Sequence, residues 1–177
     1  VILQGAETPF MKEVLKGIQE ACAEVDNLGG TVLVHKIEHQ NAEDVILAME
    51  KMRMEEVSGI AMVPLDEERV KREIDRFVEE FRIPVVTFTS DVEDTKRLCF
   101  VGQNGVQCGR AAAGLMGELT GGKGKVAVIS GYSTNTSLSS RVVGFREEIA
   151  RKYPGIEIIG PEYCFEENGR AREITEG

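Results

Sequence analysis

Residues Lys125 to Glu147 read KVAVISGYSTNTSLSSRVVGFRE. The stretch opens on a continuous apolar run, Val126-Ala127-Val128-Ile129, which reads as a strand buried on both faces. Ser130-Gly131 ends the strand, and a loop of small hydroxyl and amide residues follows from Ser133 to Ser137. Leu138, Val142, Phe145 and Ile149 then recur at helical spacing. The pattern places Arg141 in the first helical turn, where backbone N–H groups lack intrahelical partners and favour acceptors and anions. A guanidinium there can donate two parallel hydrogen bonds to a polar ligand. Strand, polar loop and arginine at a helix start together make a binding-site layout. The competing reading of Arg141 is a brace for the loop or an ion pair with a nearby acid.

Outward from this unit the same alternation fills the chain. Val1–Gln4 reads as a strand. Thr8-Pro9 supplies an N-cap and a proline at the first helical position, and Phe10, Val14, Ile18, Cys22 and Val25 give the helix its apolar stripe. Gly29-Gly30 closes that unit. A second strand is expected over Thr31–Ile37, then a helix capped by Asn41 with Val45, Ile46, Met49 and Met52 on one face. A third strand over Gly59–Val63 leads to a helix capped by Asp66, with Val70, Ile74, Phe77 and Phe81 inward. Pro84–Phe88, a polar loop, and Leu98–Val101 give two more strands. Asn104 opens a helix rich in small residues, and the Lys125–Ile129 strand follows with its helix to Tyr153. A strand over Ile156–Ile159 and a helix from Asn168 end the chain. Strands alternating with helices predict βαβ units and parallel sheets, hence an α/β fold with helices on both faces. Ligands in such sheets bind beyond the carboxyl ends of the strands. The loops there, at Glu7-Thr8, His39-Gln40, Pro64–Asp66, Thr89–Asp91 and Ser133–Ser137, are all polar.

Composition narrows the function. A net charge of −9 argues against nucleic-acid binding by this piece, because phosphate contacts need a basic face. No run approaches transmembrane length, so no membrane partner is expected. Cys22, Cys99, Cys108 and Cys164 show no C-x-x-C spacing. They read as buried free thiols and favour a reducing, cytoplasmic compartment. His35 and His39 do not combine with them into a metal-ligand pattern, and neither cofactor nor metal is expected.

Gly117–Lys123 spells G-x-x-x-x-G-K, most of a P-loop. A P-loop needs a strand before it and a helix after it, whereas here the order is reversed, so Gly121-Gly122 reads as a helix C-cap and turn. No G-x-G-x-x-G follows the first strand, and Ser130 and Ser133 lack the G-x-S-x-G elbow. Asp91, in Thr89-Ser90-Asp91 behind a buried strand, reads either as a turn aspartate or as an acceptor for ligand hydroxyls. Phe10 is either core or a ring placed to stack on a sugar.

The chain resembles the periplasmic-binding-protein-like effector domain of lactose-repressor-type (LacI family) regulators, which share their fold with ribose-binding proteins. The matching residues are Thr8-Pro9-Phe10 with Gly17, Ile83-Pro84-Val85-Val86-Thr87 into Thr89-Ser90-Asp91, Val101-Gly102-Gln103-Asn104 with Gly109-Arg110-Ala111-Ala112, and Arg141-Val142-Val143-Gly144-Phe145. The resemblance implies two lobes that close on a small ligand, usually a sugar. The first would be residues 1–102, and residues 103–177 would be part of the second, with roughly 100 further residues expected to complete it. It implies ligand contacts at Thr8, Phe10, Ser90, Asp91, Arg141 and Phe165. The ribose binders carry Asp-Arg where this chain has Thr89-Ser90, which moves the hydroxyl-accepting role toward Asp91. The function expected is effector binding without catalysis, with DNA reached only through an N-terminal headpiece upstream of Val1. The chain opens without an initiator methionine, so its lack of a signal peptide carries no weight. The alternative expectation is a sugar-binding protein of an ABC-type transporter. The regulator reading also implies a homodimer formed through the first lobe. There, Leu47 and Met54 lie opposite the buried stripe of their helix.

Overall fold

The structure, a computed structural model, describes residues 1–5, 8–37 and 39–177. Two units divide it, Val1–Val101 and Gly102–Gly177, one residue before the boundary expected from the sequence.

In the first unit the elements are β1 (Ile2–Gln4), α1 (Pro9–Asn27), β2 (His35–Ile37), α2 (Ala42–Met54), β3 (Ile60–Met62), α3 (Glu68–Glu79), β4 (Val85–Phe88) and β5 (Cys99–Val101). All strand pairs are parallel, in the order β2-β1-β3-β4-β5. The strand order reverses direction at β1, and in open parallel sheets ligands bind beyond the carboxyl ends of the strands at such a reversal.

Successive side chains of a strand point to opposite faces. Ile2 accordingly packs with Val45, Met49 and Met52 of α2 and with Val70, Ile74 and Phe77 of α3. Leu3 packs the other way, with Met11, Val14, Leu15 and Ile18 of α1. Each fully buried side chain of this kind contributes about 1.5–3 kcal/mol. Caps set the helix starts. Thr8 Oγ1 accepts from the Met11 N–H at 3.3 Å, and Asn41 Oδ1 accepts from the Asp44 N–H at 2.8 Å. At the end of α1, Gly29 turns the chain at φ 80°, a conformation glycine adopts without steric cost.

Five local readings are corrected. The run Val126-Ala127-Val128-Ile129 is not buried on both faces, since Val126 is buried but Ala127 is exposed and Ile129 is 38% exposed. Only His35–Ile37 pairs as a strand, although the apolar run begins at Val32. Asp66 does not cap α3. The N-cap is Glu67, without a side-chain cap bond, and Asp66 instead pairs with Lys71 Nζ at 2.7 Å. Phe10 lies off the buried stripe and is 64% exposed, because Met11 takes the inward position one residue on. Cys99 is exposed and Cys22, Cys108 and Cys164 are half-buried, so the expectation of buried thiols fails. β5 is the terminal strand of its sheet, which leaves Cys99 uncovered.

The second unit contains α4 (Gly105–Thr120), β6 (Lys123–Ser130), α5 (Thr136–Lys152), β7 (Gly155–Tyr163) and α6 (Asn168–Glu176). β6 and β7 pair in parallel from Lys123↔Gly155 to Ser130↔Tyr163. Asn104 caps α4 through Oδ1, accepting from the Gln107 N–H at 3.0 Å. Gly121 ends it at φ 63°, so the P-loop-like run is a helix end and turn. The helices α4 and α5 meet at glycines. A Cβ on Gly109 would lie 2.0 Å from Arg141 O, and one on Gly144 would lie 2.1 Å from Val106 O. Ala113, Val126, Ile149 and Ile156 form the core beneath them, with Met116, Phe145 and Tyr153 packed against it. Among the described residues no helix is long and apolar enough to cross a membrane.

Candidate ligand-binding site

In the first unit the carboxyl edge of the sheet is built from the ends of β1, β3 and β4. Beyond β1 the chain passes Gly5 to Thr8, and Thr8 Oγ1 also donates to Gly5 O at 3.0 Å. Glu7 of that loop lies outside the described residues. Phe10 projects from the first turn of α1 with most of its ring open to solvent.

Beyond β4 the chain turns tightly. The Ser90 N–H donates to Phe88 O at 2.7 Å and the Thr89 N–H to Val101 O at 3.1 Å. Thr89 sits at φ 59°, a left-handed conformation disfavoured for a β-branched residue. Its Oγ1 is buried and has no hydrogen-bond partner among the described residues. Ser90 is 2% exposed.

Asp91 follows, and its acceptors are largely used within the protein. Arg97 Nε and Nη2 donate to its two carboxylate oxygens, and Thr87 Oγ1 donates to Oδ1 at 2.7 Å. Burial pushes the Asp91 carboxyl up, but the Arg97 and Thr87 hydrogen bonds outweigh that and hold it below its ordinary value. The hydroxyl-accepting role assigned to Asp91 therefore meets competition from Arg97, six residues on. The unspent oxygen at this turn belongs to Thr89.

In the second unit the corresponding edge lies beyond β6 and β7. Asn135 caps α5 by accepting from the Ser137 N–H at 3.0 Å, so the helix begins at Thr136. Arg141 therefore lies in the second turn, and the unpaired N–H groups of the first turn do not surround it. Its Nη2 donates to Gln103 Oε1 at 3.0 Å. Its Nε is buried and has no hydrogen-bond partner among the described residues. The guanidinium borders a groove of about 500 Å³ lined by Val126, Ile129, Leu138, Phe145, Cys164 and Glu166 among others.

After β7, Phe165 and Glu166 both adopt positive φ, 53° and 61°. This turn sets the Phe165 ring 5.5 Å from the Tyr132 ring, tilted by 60°. Arg170 Cζ lies 5.7 Å from the Phe165 centroid. Phe165 remains 44% exposed. Burial, then the nearby Glu166 and Glu167 charges, push the Tyr132 hydroxyl above its ordinary pKa.

The structure thus brings together Ser90 and Asp91 with Thr89 in one turn, beside Thr87 of β4, and places Arg141 beside Gln103. Thr8 serves as a helix cap. Sequence reasoning passed over Thr89, Gln103 and Tyr132. No pattern in the sequence signalled the Tyr132–Phe165 pair. No group of three His, Cys, Asp or Glu side chains among the described residues is placed to hold a metal ion.

The model of the family described as "Periplasmic binding protein domain" matches residues 1–177. Among curated proteins none matches the sequence. GanP, a glucose-galactose binding protein from Geobacillus stearothermophilus, superimposes with a TM-score of 0.85 at 26% identity over 99% of the chain. A transporter solute-binding protein from Burkholderia graminis C4D1M, solved with D-arabinose, gives 0.87 at 25% identity over 99%. A LacI transcriptional regulator from Bacteroides fragilis gives 0.81 at 20% identity over 99%, a likeness of fold alone. The chain spans 61%, 59% and 63% of these three relatives' lengths.

Proposed function

The chain belongs to the periplasmic binding protein domain family, and from that premise we propose that it is the sugar-binding, effector-sensing part of a bacterial transcriptional regulator. Arg141 carries the ligand half of this reading. A half-buried guanidinium that spends one arm on Gln103 and leaves Nε buried and, among the described residues, unpaired is a donor held ready for a polar ligand. Phe165 supplies the apolar ring that such a ligand's carbon face needs. Sugar-binding relatives, one solved with D-arabinose, point to the ligand class.

The regulator half rests on the motif order given above and on α2. Leu47 and Met54 are 54% and 68% exposed opposite a buried stripe, a face suited to a homodimer that would present two DNA-binding headpieces to a two-fold operator. Ligand binding would favour one conformation and so change the populations that DNA meets. In this reading the protein is cytoplasmic and performs no catalysis.

The second reading is a sugar-binding protein of a transporter, favoured by the two sugar-binding relatives at 25–26% identity. A thermal-shift screen over pentoses, hexoses and nucleosides tests sugar binding directly, and no shift with any sugar would overturn it. Light scattering separates the roles, because the regulator reading requires a dimer.

A further inference from the structure

The strands β2 and β3 are shorter than the sequence patterns that produce them. Strand patterns run over residues 31–37 and 59–63, yet the ladders begin only at His35 and Ile60. Both strands flank β1, and both fall short at their amino ends. β3 pairs with β4 at Ile60, Ala61 and Met62, but with β1 at Met62 alone. Between the two flanks, at the amino end of β1, lies a groove of about 750 Å³.

The walls of this groove continue the two parallel ladders. Ile2 lies opposite His35 on one side and opposite Met62 on the other. Continuing both registers toward the amino end sets the three positions before Val1 opposite Leu33, Val32 and Thr31 on the β2 side. On the β3 side they fall opposite Ile60, Gly59 and Ser58. All six of these residues line the groove, and so does Val1 at its inner end. The Val1 backbone is already aligned with the β2 side, because its N donates to Leu33 O and its O accepts from the His35 N–H. A chain continued before Val1 therefore enters the groove along the strand axis without a turn.

Successive strand residues alternate between faces. Ile2 packs with α2 and α3, and Leu3 with α1. The first and third positions before Val1 thus face the side where Met52 and Val57 line the groove, and the second faces Val25 of α1. Both faces are apolar, which is the setting of an inner parallel strand. A strand there would also satisfy backbone groups on both walls at once.

We infer that the groove receives the segment of this chain immediately upstream of Val1, as an inner extension of β1 with apolar side chains on both faces. β2 and β3 then lengthen to the limits their sequence patterns set. Chain further upstream leaves the sheet at its amino edge, opposite the loops that carry Ser90 and Asp91, and beside Glu55 at the end of α2. The placement is the same for a regulator and for a transporter component, so it stands or falls apart from the sugar-binding reading.

Amide hydrogen exchange measured by NMR on the full natural protein tests it. The His35 N–H bonds to Val1 O and the Val63 N–H to Ile2 O. Two residues back along each wall, the Leu33 and Ala61 N–H groups should bond to the second and first residues before Val1. Both should exchange roughly a hundredfold or more slower than open-loop amides, near the rates of His35 and Val63. Fast exchange at either overturns the inference. Cross-strand contacts between the Leu33 amide and the second residue before Val1 should identify the occupant, and contacts to any other segment overturn it equally. Proline at that second position removes a central-strand donor and should speed exchange at Leu33 and Ala61 roughly tenfold or more. Unchanged protection in a folded proline variant overturns the inference, and if the variant does not fold, the wild-type measurements decide alone.

Discussion

Arg97 grips Asp91 with both arms of its guanidinium, Nε on one carboxylate oxygen and Nη2 on the other. The two side chains are only 19% and 18% exposed, so the pair is screened less than a surface ion pair. Thr87 adds a third donor from β4. Together these bonds pin the loop between β4 and β5 to the strand it leaves. Asp91→Ala should therefore lower unfolding free energy by about 2 kcal/mol, the range for hydrogen bonds to charged groups. Arg97→Ala should cost a similar amount, and the double mutant little more than either single, because the residues act as one unit. Urea melts of the three variants decide it. A loss of sugar affinity at unchanged stability would instead return Asp91 to the ligand.

The same pair fixes the sign of a pH effect. Burial works against the Asp91 carboxylate, but the Arg97 and Thr87 bonds prevail and the folded pKa lies below its ordinary value. A depressed folded pKa means the contribution is fully present above the unfolded value. It is lost as pH falls below about 4 toward the folded value. Wild type should thus lose more stability between pH 5 and pH 3 than Asp91→Asn does. Parallel acid titrations of the two melts check this, and equal slopes would remove Asp91 from the acid response.

Glycines in the second unit divide into two kinds. A methyl group on Gly109 or Gly144 would meet backbone of the facing helix at 2.0–2.1 Å, and backbone cannot swing aside. Gly109→Ala and Gly144→Ala should each cost about 3 kcal/mol or more. Gly114 also lies within α4, yet has nothing within 4 Å of the added carbon. Gly114→Ala should raise stability by about 0.5–1 kcal/mol through helix propensity. Thermal melts that showed the same change at all three positions would contradict the close helix crossing.

Arg141→Ala should weaken sugar binding by about 1.5–3 kcal/mol, the range for charged hydrogen bonds, with a small change in thermal stability. Gln103→Ala should weaken it less, since it removes only the brace on Nη2. Calorimetry on the full protein measures both. Should Arg141→Ala lower stability strongly and leave affinity intact, the arginine is a brace.

The fold was legible because α2 and α3 carry clear apolar stripes and most helices carry side-chain caps. Val45, Met49 and Met52 on α2, and Val70, Ile74 and Phe77 on α3, all face the core where their spacing placed them. Thr8, Asn41 and Asn104 each cap the helix they precede. Two failures have physical causes. Phe10 and Met11 are adjacent apolar residues, and spacing alone did not decide which turned inward. Asn135 starts α5 one turn before the apolar stripe begins to show, which put Arg141 a turn too early. The state of Asp91 was beyond pattern reading, because only the closed loop brings Arg97 back onto it. The orphan atoms of Thr89 and Arg141 likewise depend on burial produced by distant segments.

Self-association is expected through α2. Val45 and Met49 are fully buried and Met52 nearly so, while Leu47 and Met54, seven residues apart, stay largely exposed. Two residues at that spacing share one face of a helix. A lone exposed leucine is ordinary on protein surfaces, and Met54 sits at the helix end, so the patch by itself is modest. Its place in the sheet strengthens it. β2, the strand leading into α2, is the terminal strand of the five, so α2 follows directly from the edge of the sheet. Across a two-fold axis four such side chains would meet, each contributing about 1.5–3 kcal/mol if fully buried. A stable dimer needs roughly 800 Å² per partner, so these residues would be the centre of a larger contact. Replacing Leu47 and Met54 together with glutamate should yield monomers, because burying carboxylates in an apolar contact is strongly unfavourable. Sugar affinity should be unchanged, since neither residue lies at the carboxyl edge of the sheet. Light scattering on the double variant decides the matter. An unchanged dimer mass would place the interface elsewhere, and a wild-type protein that stays monomeric at high concentration would favour the transporter role over the regulator.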